Sequence, residues 1–218
     1  MSIKLSGLAL AIVLICSGGA LAQTAPPALT VRFTATSVSV EGLTPGGNVV
    51  VFGVARVAKK YYSEVVPRVG VVPDSDGDGI VTLDYPEGVP PRAIWTFVDL
   101  VTGRRAVLPS AGYENVAMPF LPDGFKKANN GQLKKLELEM ADIHLLLVRP
   151  GEGAWSIAFS ANSGLDENQG TGEKARLDIS RLLPVAGTPA APEHFRKGDV
   201  VVAIDSRWMK YFAVEVGE

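Results

Sequence analysis

The chain has 218 residues, 21 Lys and Arg against 23 Asp and Glu, and a formal net charge of −2. That balance has no basic excess, which excludes the electrostatic footprint of a nucleic-acid binder or of a protein held to an anionic membrane. The one cysteine, Cys16, lies in the first 22 residues, so a chain cut after them has no disulfide, no thiol catalysis and no cysteine-held zinc.

Lys4 is the only charged side chain in residues 1–22. Leu5 to Ile15 is a short apolar run, Ser17-Gly18-Gly19 breaks it, and Ala20-Leu21-Ala22 puts small residues where a signal peptidase reads. This three-part pattern predicts a cleaved secretory signal over residues 1–22 and a mature start at Gln23. A secreted or periplasmic location follows, with no membrane span after cleavage. An uncleaved anchor would need ~20 apolar residues without such a break. Lipidation of Cys16 would need a small residue before it, and Ile15 stands there.

Downstream, apolar residues recur with the period of strands. Ser37 to Glu41 alternates. Asn48 to Val57 (NVVVFGVARV), Ile80 to Tyr85 and Ala93 to Leu100 are β-branched or aromatic runs. Leu136 to Met140 alternates again, and Ile143–Val148, Trp155–Phe159 and Val200–Ile204 follow. Gly and Pro clusters punctuate them, as at Thr44-Pro45-Gly46-Gly47 and Pro150-Gly151-Glu152-Gly153. Leu133 to Val148 is the one helix candidate, but Leu136, Leu138 and Met140 against Glu137 and Glu139 fit two strands better. After Val200–Ile204 the chain turns at Asp205 to Trp208 into a final hairpin.

The chain also resembles itself. An alternating strand, a turn and an apolar strand occur at Ser37–Arg56 and at Lys135–Pro150. An Asp/Gly loop feeding a strand that ends in Leu-Asp occurs at Asp74–Asp84 and at Asp166–Asp178. A strand ending in an apolar residue and Asp, then a basic turn, occurs at Trp95–Leu108 and at Val201–Val214. The offsets are 94 from Asn48 to Asp142, 92 from Asp74 to Asp166, 94 from Asp84 to Asp178 and 106 from Asp99 to Asp205. The last is lengthened by an extra Pro/Ala-rich loop, Pro184 to Phe195. Self-similarity at a fixed period signals a repeated unit. The expected organisation is all-β: two antiparallel sandwich units at 23–110 and 133–218, related by internal duplication and joined by a linker at 111–132.

Gly42-Leu43-Thr44-Pro45-Gly46-Gly47 between two strands, with an Asp/Gly loop opening a later strand, resembles bacterial immunoglobulin-like domains of exported proteins. The resemblance covers residues 28–110 and, more faintly, 133–218. It implies an immunoglobulin-like sandwich serving as a spacer or interaction module.

The densest chemical motif is Asp74-Ser75-Asp76-Gly77-Asp78-Gly79-Ile80. Ca²⁺ takes six to eight oxygens, and carboxylates at alternate positions of a tight loop can converge on one ion. Asp74, Asp76, Asp78, Gly79 and the Ile80 carbonyl follow the first half of an EF-hand or dockerin loop. The twelfth position is Tyr85, so Asp84 is the substitute carboxylate. The alternative is an Asp-Gly turn between strands. Elsewhere His144 sits in an apolar strand and His194 in a loop beside Glu193 and Lys197. No Gly-x-Ser-x-Gly elbow marks a serine hydrolase. Lys59-Lys60-Tyr61-Tyr62, Trp208 and Tyr211 are the candidate aromatic platforms for sugar. The expectation is therefore a non-catalytic exported module with a structural or interaction role and a protein or carbohydrate partner. The alternatives are a calcium-dependent binding module and a secreted hydrolase.

Overall fold

A computed structural model of the chain describes residues 28–58, 63–110, 113, 118–119, 135–138, 142–160, 175–206 and 209–217. The signal segment and its cleavage site lie outside the described residues, as do Lys59–Tyr62, Trp208 and the second Asp/Gly loop.

The described chain is all-β. In order, the first half holds β1 (Thr30–Phe33), β2 (Ser37–Glu41), β3 (Asn48–Ala58), β4 (Ser63–Pro73), β5 (Ile80–Asp84), β6 (Ala93–Asp99) and β7 (Arg105–Pro109). The second holds β8 (Met118–Pro119), β9 (Lys135–Leu138), β10 (Asp142–Arg149), β11 (Gly153–Ser160), β12 (Ala175–Asp178), a 3-10 turn (Ile179–Arg181), β13 (Leu183–Pro184), β14 (Val200–Asp205) and β15 (Lys210–Glu215). Two strands, β9 and β10, occupy the stretch for which a helix was the alternative. β14 and β15 form the expected final hairpin, Asp205 facing Lys210.

Three sheets are antiparallel: β1-β2-β5, β4-β3-β6-β7 and β12-β9. The fourth runs β13-β11-β10-β14-β15-β8 and is mixed, because β8 joins β15 in parallel. The pairing order recurs between the halves. β2 pairs β5 as β9 pairs β12, and β4-β3-β6-β7 corresponds to β11-β10-β14-β15. The registers recur too. Val49 faces Asp99 and Ile143 faces Asp205, the residue pair reached by adding 94 and 106. Ser37 faces Asp84, and Lys135 faces Asp178.

Side-chain alternation explains how these sheets stack. On β3 and β6 the residues Val49, Val51, Ala55, Trp95 and Phe97 face the β1-β2-β5 sheet and close a core with Val38, Val40 and Val81. Gly53 is required there: a Cβ on it would lie 2.5 Å from the Trp95 indole. The opposite face of the same strands carries Val50, Phe52, Val54, Ile94 and Val98. These pack in one cluster with Leu146, Val148, Val200, Val202 and Ile204 of β10 and β14. The outer face of β10 and β14 (Leu145, Leu147, Val201, Ala203) packs with Trp155, Ile179, Leu182 and Phe195. The two central sheets are thus covered on both faces. That is why β3, β6, β10 and β14 read as unbroken apolar runs where a half-exposed strand would alternate.

The halves also touch through backbone and charge. Gly151 N–H donates to Leu100 O at 2.7 Å, and Arg105 lies 3.8 Å from Glu215. Pro150 and Val200 pack against Gly103, whose φ of +75° the β6–β7 turn requires.

Candidate functional site

Among the described residues, the Asp74 loop and two clefts are candidate sites. The first is the Asp74 loop. Asp74, Asp76 and Asp78 each present a carboxylate oxygen within 4.8 Å of the others, so the cluster could hold a metal ion. Asp74 is buried, and its neighbours are exposed. Its Oδ2 accepts from Gly46 N–H and Gly79 N–H, both at 2.9 Å, and its Oδ1 from Gly77 N–H at 3.2 Å. Burial alone would raise the Asp74 pKa, but these amide donors, with a hydrogen bond to Asp76, outweigh it and hold the carboxyl below its ordinary value. The donors use both Oδ2 lone pairs, leaving Oδ1 as the atom Asp74 can offer a cation. Asp78 Oδ1 accepts from Ile80 N–H at 2.8 Å, and Gly77 and Gly79 take φ of +74° and +78° to make the bend. Ile80 opens β5 beside this cluster. Asp84 closes β5, about 13 Å further along at strand rise. The structure therefore brings together Asp74, Asp76 and Asp78, with Ile80 next to them, and places Asp84 elsewhere.

The second place is the cleft that Asp84 does line. It measures about 500 Å³ and is bounded by Val57, Arg68, Asp84, Tyr85, Glu87 and the prolines of the segment after β5. The Arg68 guanidinium lies over the Tyr85 ring at 5.6 Å, and the ring meets Trp95 edge-on at 5.5 Å. Burial raises the Tyr85 pKa and Arg68 partly offsets it, so the phenol stays protonated at neutral pH. No sequence pattern pointed to this site, because its walls come from both sheets.

The third is a smaller cleft, about 260 Å³, beside the loop after β13. Its floor is Arg149, paired in two-point fashion with Asp199 at 2.8 Å and 2.8 Å. Arg149 also donates to His194 O at 3.0 Å and sits over the Trp155 ring at 5.9 Å. The Asp199 hydrogen bond is the main cause that raises the Arg149 pKa further. His194 lines this cleft, whereas His144 is buried in β10 opposite Ile204. Tyr211 is half-buried and packs against the core shared by the two halves.

Buried Asp99 centres a further polar cluster. It accepts from Thr44 N–H and Oγ1, Val101 N–H, Thr102 Oγ1 and Arg104, at 2.6 to 3.0 Å. Burial pushes its pKa up, but these donors win and hold it below the ordinary carboxylate value.

Comparison with known proteins finds no matching family model, no matching curated protein and no matching solved structure. Among the described residues no helix is long and apolar enough to cross a membrane.

Proposed function

We propose that the chain is an exported, non-catalytic β module with a structural or interaction role, built from two immunoglobulin-like units that arose by internal duplication. One observation supports it above the others: three of the buried carboxylates, Asp74, Asp99 and Asp199, are engaged by turn amides, hydroxyls and arginines. Groups spent in this way pin loops between strands and have no protons to trade with a substrate. The duplication is supported by the pairing order and registers common to both halves. The immunoglobulin-like assignment is supported by β1-β2-β5 facing β4-β3-β6-β7, an arrangement of two antiparallel sheets of a sandwich. Export rests on the N-terminal pattern. Intact-mass measurement on the chain from its native host tests it: a start at Gln23 in the exported fraction is expected, and an intact Met1 retained inside the cell overturns it.

Convergence of Asp74, Asp76 and Asp78 favours calcium binding as a second reading. With no carboxylate at the twelfth position, affinity falls in the ~10⁻⁴–10⁻³ M range of extracellular modules. Tenfold excess over the dissociation constant stabilises the folded chain by about 1.4 kcal/mol. Thermal unfolding in millimolar calcium against chelator should show a rise that Asp76→Asn largely loses. Equal responses to calcium and magnesium in both proteins would leave the loop as a turn alone.

A further inference from the structure

We propose that the Tyr85 cleft and the adjacent edge of β4 form a docking site for an extended peptide of a partner protein. The peptide adds as a strand to β4 and places a basic side chain in the cleft. This inference rests on the interaction reading and supplies its partner chemistry.

The edge comes first. Among the described residues β4 pairs only with β3. Asp74 N–H donates to Gly47 O in the register of that ladder, so even-numbered residues of β4 bond to β3. The N–H and C=O groups of odd-numbered residues therefore face the open edge. Pro67 and Pro73 fall at odd positions, where a missing N–H costs no ladder bond. They limit the free donors between them to Val69 and Val71, enough for a short added strand. Val69 is 44% exposed. In the second half β13 pairs with Trp155 and Ser156 on the matching edge, that of β11, and β8 with Lys210 and Tyr211 on the edge of β15. The corresponding sheet of the second half thus carries short added segments at both edges.

The cleft supplies the choice of side chain. Arg68 shares the β4 face that looks toward β5, so the inward side chain of an added strand enters between the sheets beside it. The wall after β5 is poor in donors: Pro86, Pro90 and Pro91 have no N–H. Gly88 N–H is spent on Tyr85 O and Val89 N–H on Ala35 O. Two carboxylates, Asp84 and Glu87, stand against one guanidinium, and neither makes an ion pair among the described residues. An acidic, acceptor-rich wall with an apolar floor of Val57 and Tyr85 fits a lysine or arginine: a cationic head on an apolar stem. Strand addition gives the affinity and the pocket gives the specificity.

The test titrates N-acetyl-Val-Lys-Val-amide into the ¹⁵N-labelled chain purified as its host processes it. The expected result is saturable movement of the Val69, Val71 and Glu87 amide signals. The Val-Glu-Val analogue should bind about tenfold more weakly or worse. Glu87→Gln should weaken the lysine peptide, and Val69→Pro should abolish it, with the melting midpoint unchanged in both. Equal binding of the two peptides overturns the proposal. So does binding that leaves the β4 amides unmoved, which would mark a cleft for small cations only. Amides at Val69 and Val71 already protected from exchange in the free chain, with no peptide binding, would show the edge covered by the chain itself and also overturn it. Export fails on the N-terminal mass and the docking site on the titration, so the two failures are distinguishable.

Discussion

Asp99 shows how much one carboxylate can organise. It ends β6, caps its own turn through Val101 N–H, and reaches the β2–β3 turn through Thr44. Its pKa is depressed in the folded chain, so its contribution is complete above the unfolded value, near 3.9, and is lost as pH falls through the lower folded value. Asp74 shifts in the same direction and adds to the same window. Urea midpoints measured from pH 7 down to pH 2 should fall below about pH 4, and Asp99→Asn should flatten that fall. At neutral pH the same variant should cost roughly 2 kcal/mol, because buried donors lose their charged acceptor. Thr96 is the opposite case. Its Oγ1 is buried without a hydrogen-bond partner among the described residues. Thr96→Val keeps the shape, removes the unpaired hydroxyl, and should raise stability by about 1 kcal/mol in the same assay.

At the scale of elements, polar ties fasten strand ends that apolar packing leaves free to slide. The Arg149–Asp199 pair joins the end of β10 to the start of β14, and Asp199 Oδ2 also accepts Arg196 N–H at 2.7 Å. Asp199→Ala leaves the buried guanidinium with half-exposed Glu152, at 3.8 Å, as its counter-ion and should cost roughly 3 kcal/mol. Amide exchange should speed up at Arg196 and along the loop from Pro189, while β3 and β6 keep their protection. Uniform acceleration across both halves would show that the tie is not local.

At the scale of the molecule, the apolar cluster shared by β3, β6, β10 and β14 decides cooperativity. Separating the halves would expose Val50, Phe52 and Val54 on one side and Leu146, Val148 and Val202 on the other. Phe52→Ala should therefore lower a single calorimetric transition, by about 3 kcal/mol or more. Two transitions, of which only the first moves, would mean that residues 23–110 and 133–218 unfold as independent domains.

The sequence by itself determined most of the strands and the turns between them, though not β1, β8 or β13, and it pointed to the pairing order that recurs between the halves. These follow from side-chain period and from glycine and proline chemistry, which act within a few residues. Asn48 to Val57 and Val200 to Ile204 were legible as strands because they are β-branched and bounded by turns. The convergence of Asp74, Asp76 and Asp78 was legible because alternate residues of a tight loop turn to one side. Tertiary structure decided what lay between sheets. Unbroken apolar strands demand cover on both faces, but nothing local says that the other half of the chain provides it. Asp84 shows the same limit. Next to Tyr85 it looked like a loop ligand, yet a five-residue strand carries it away from the Asp74 cluster and onto the cleft. The cleft is assembled from β3, β4 and the segment after β5, whose proximity comes from the packing of one sheet on another.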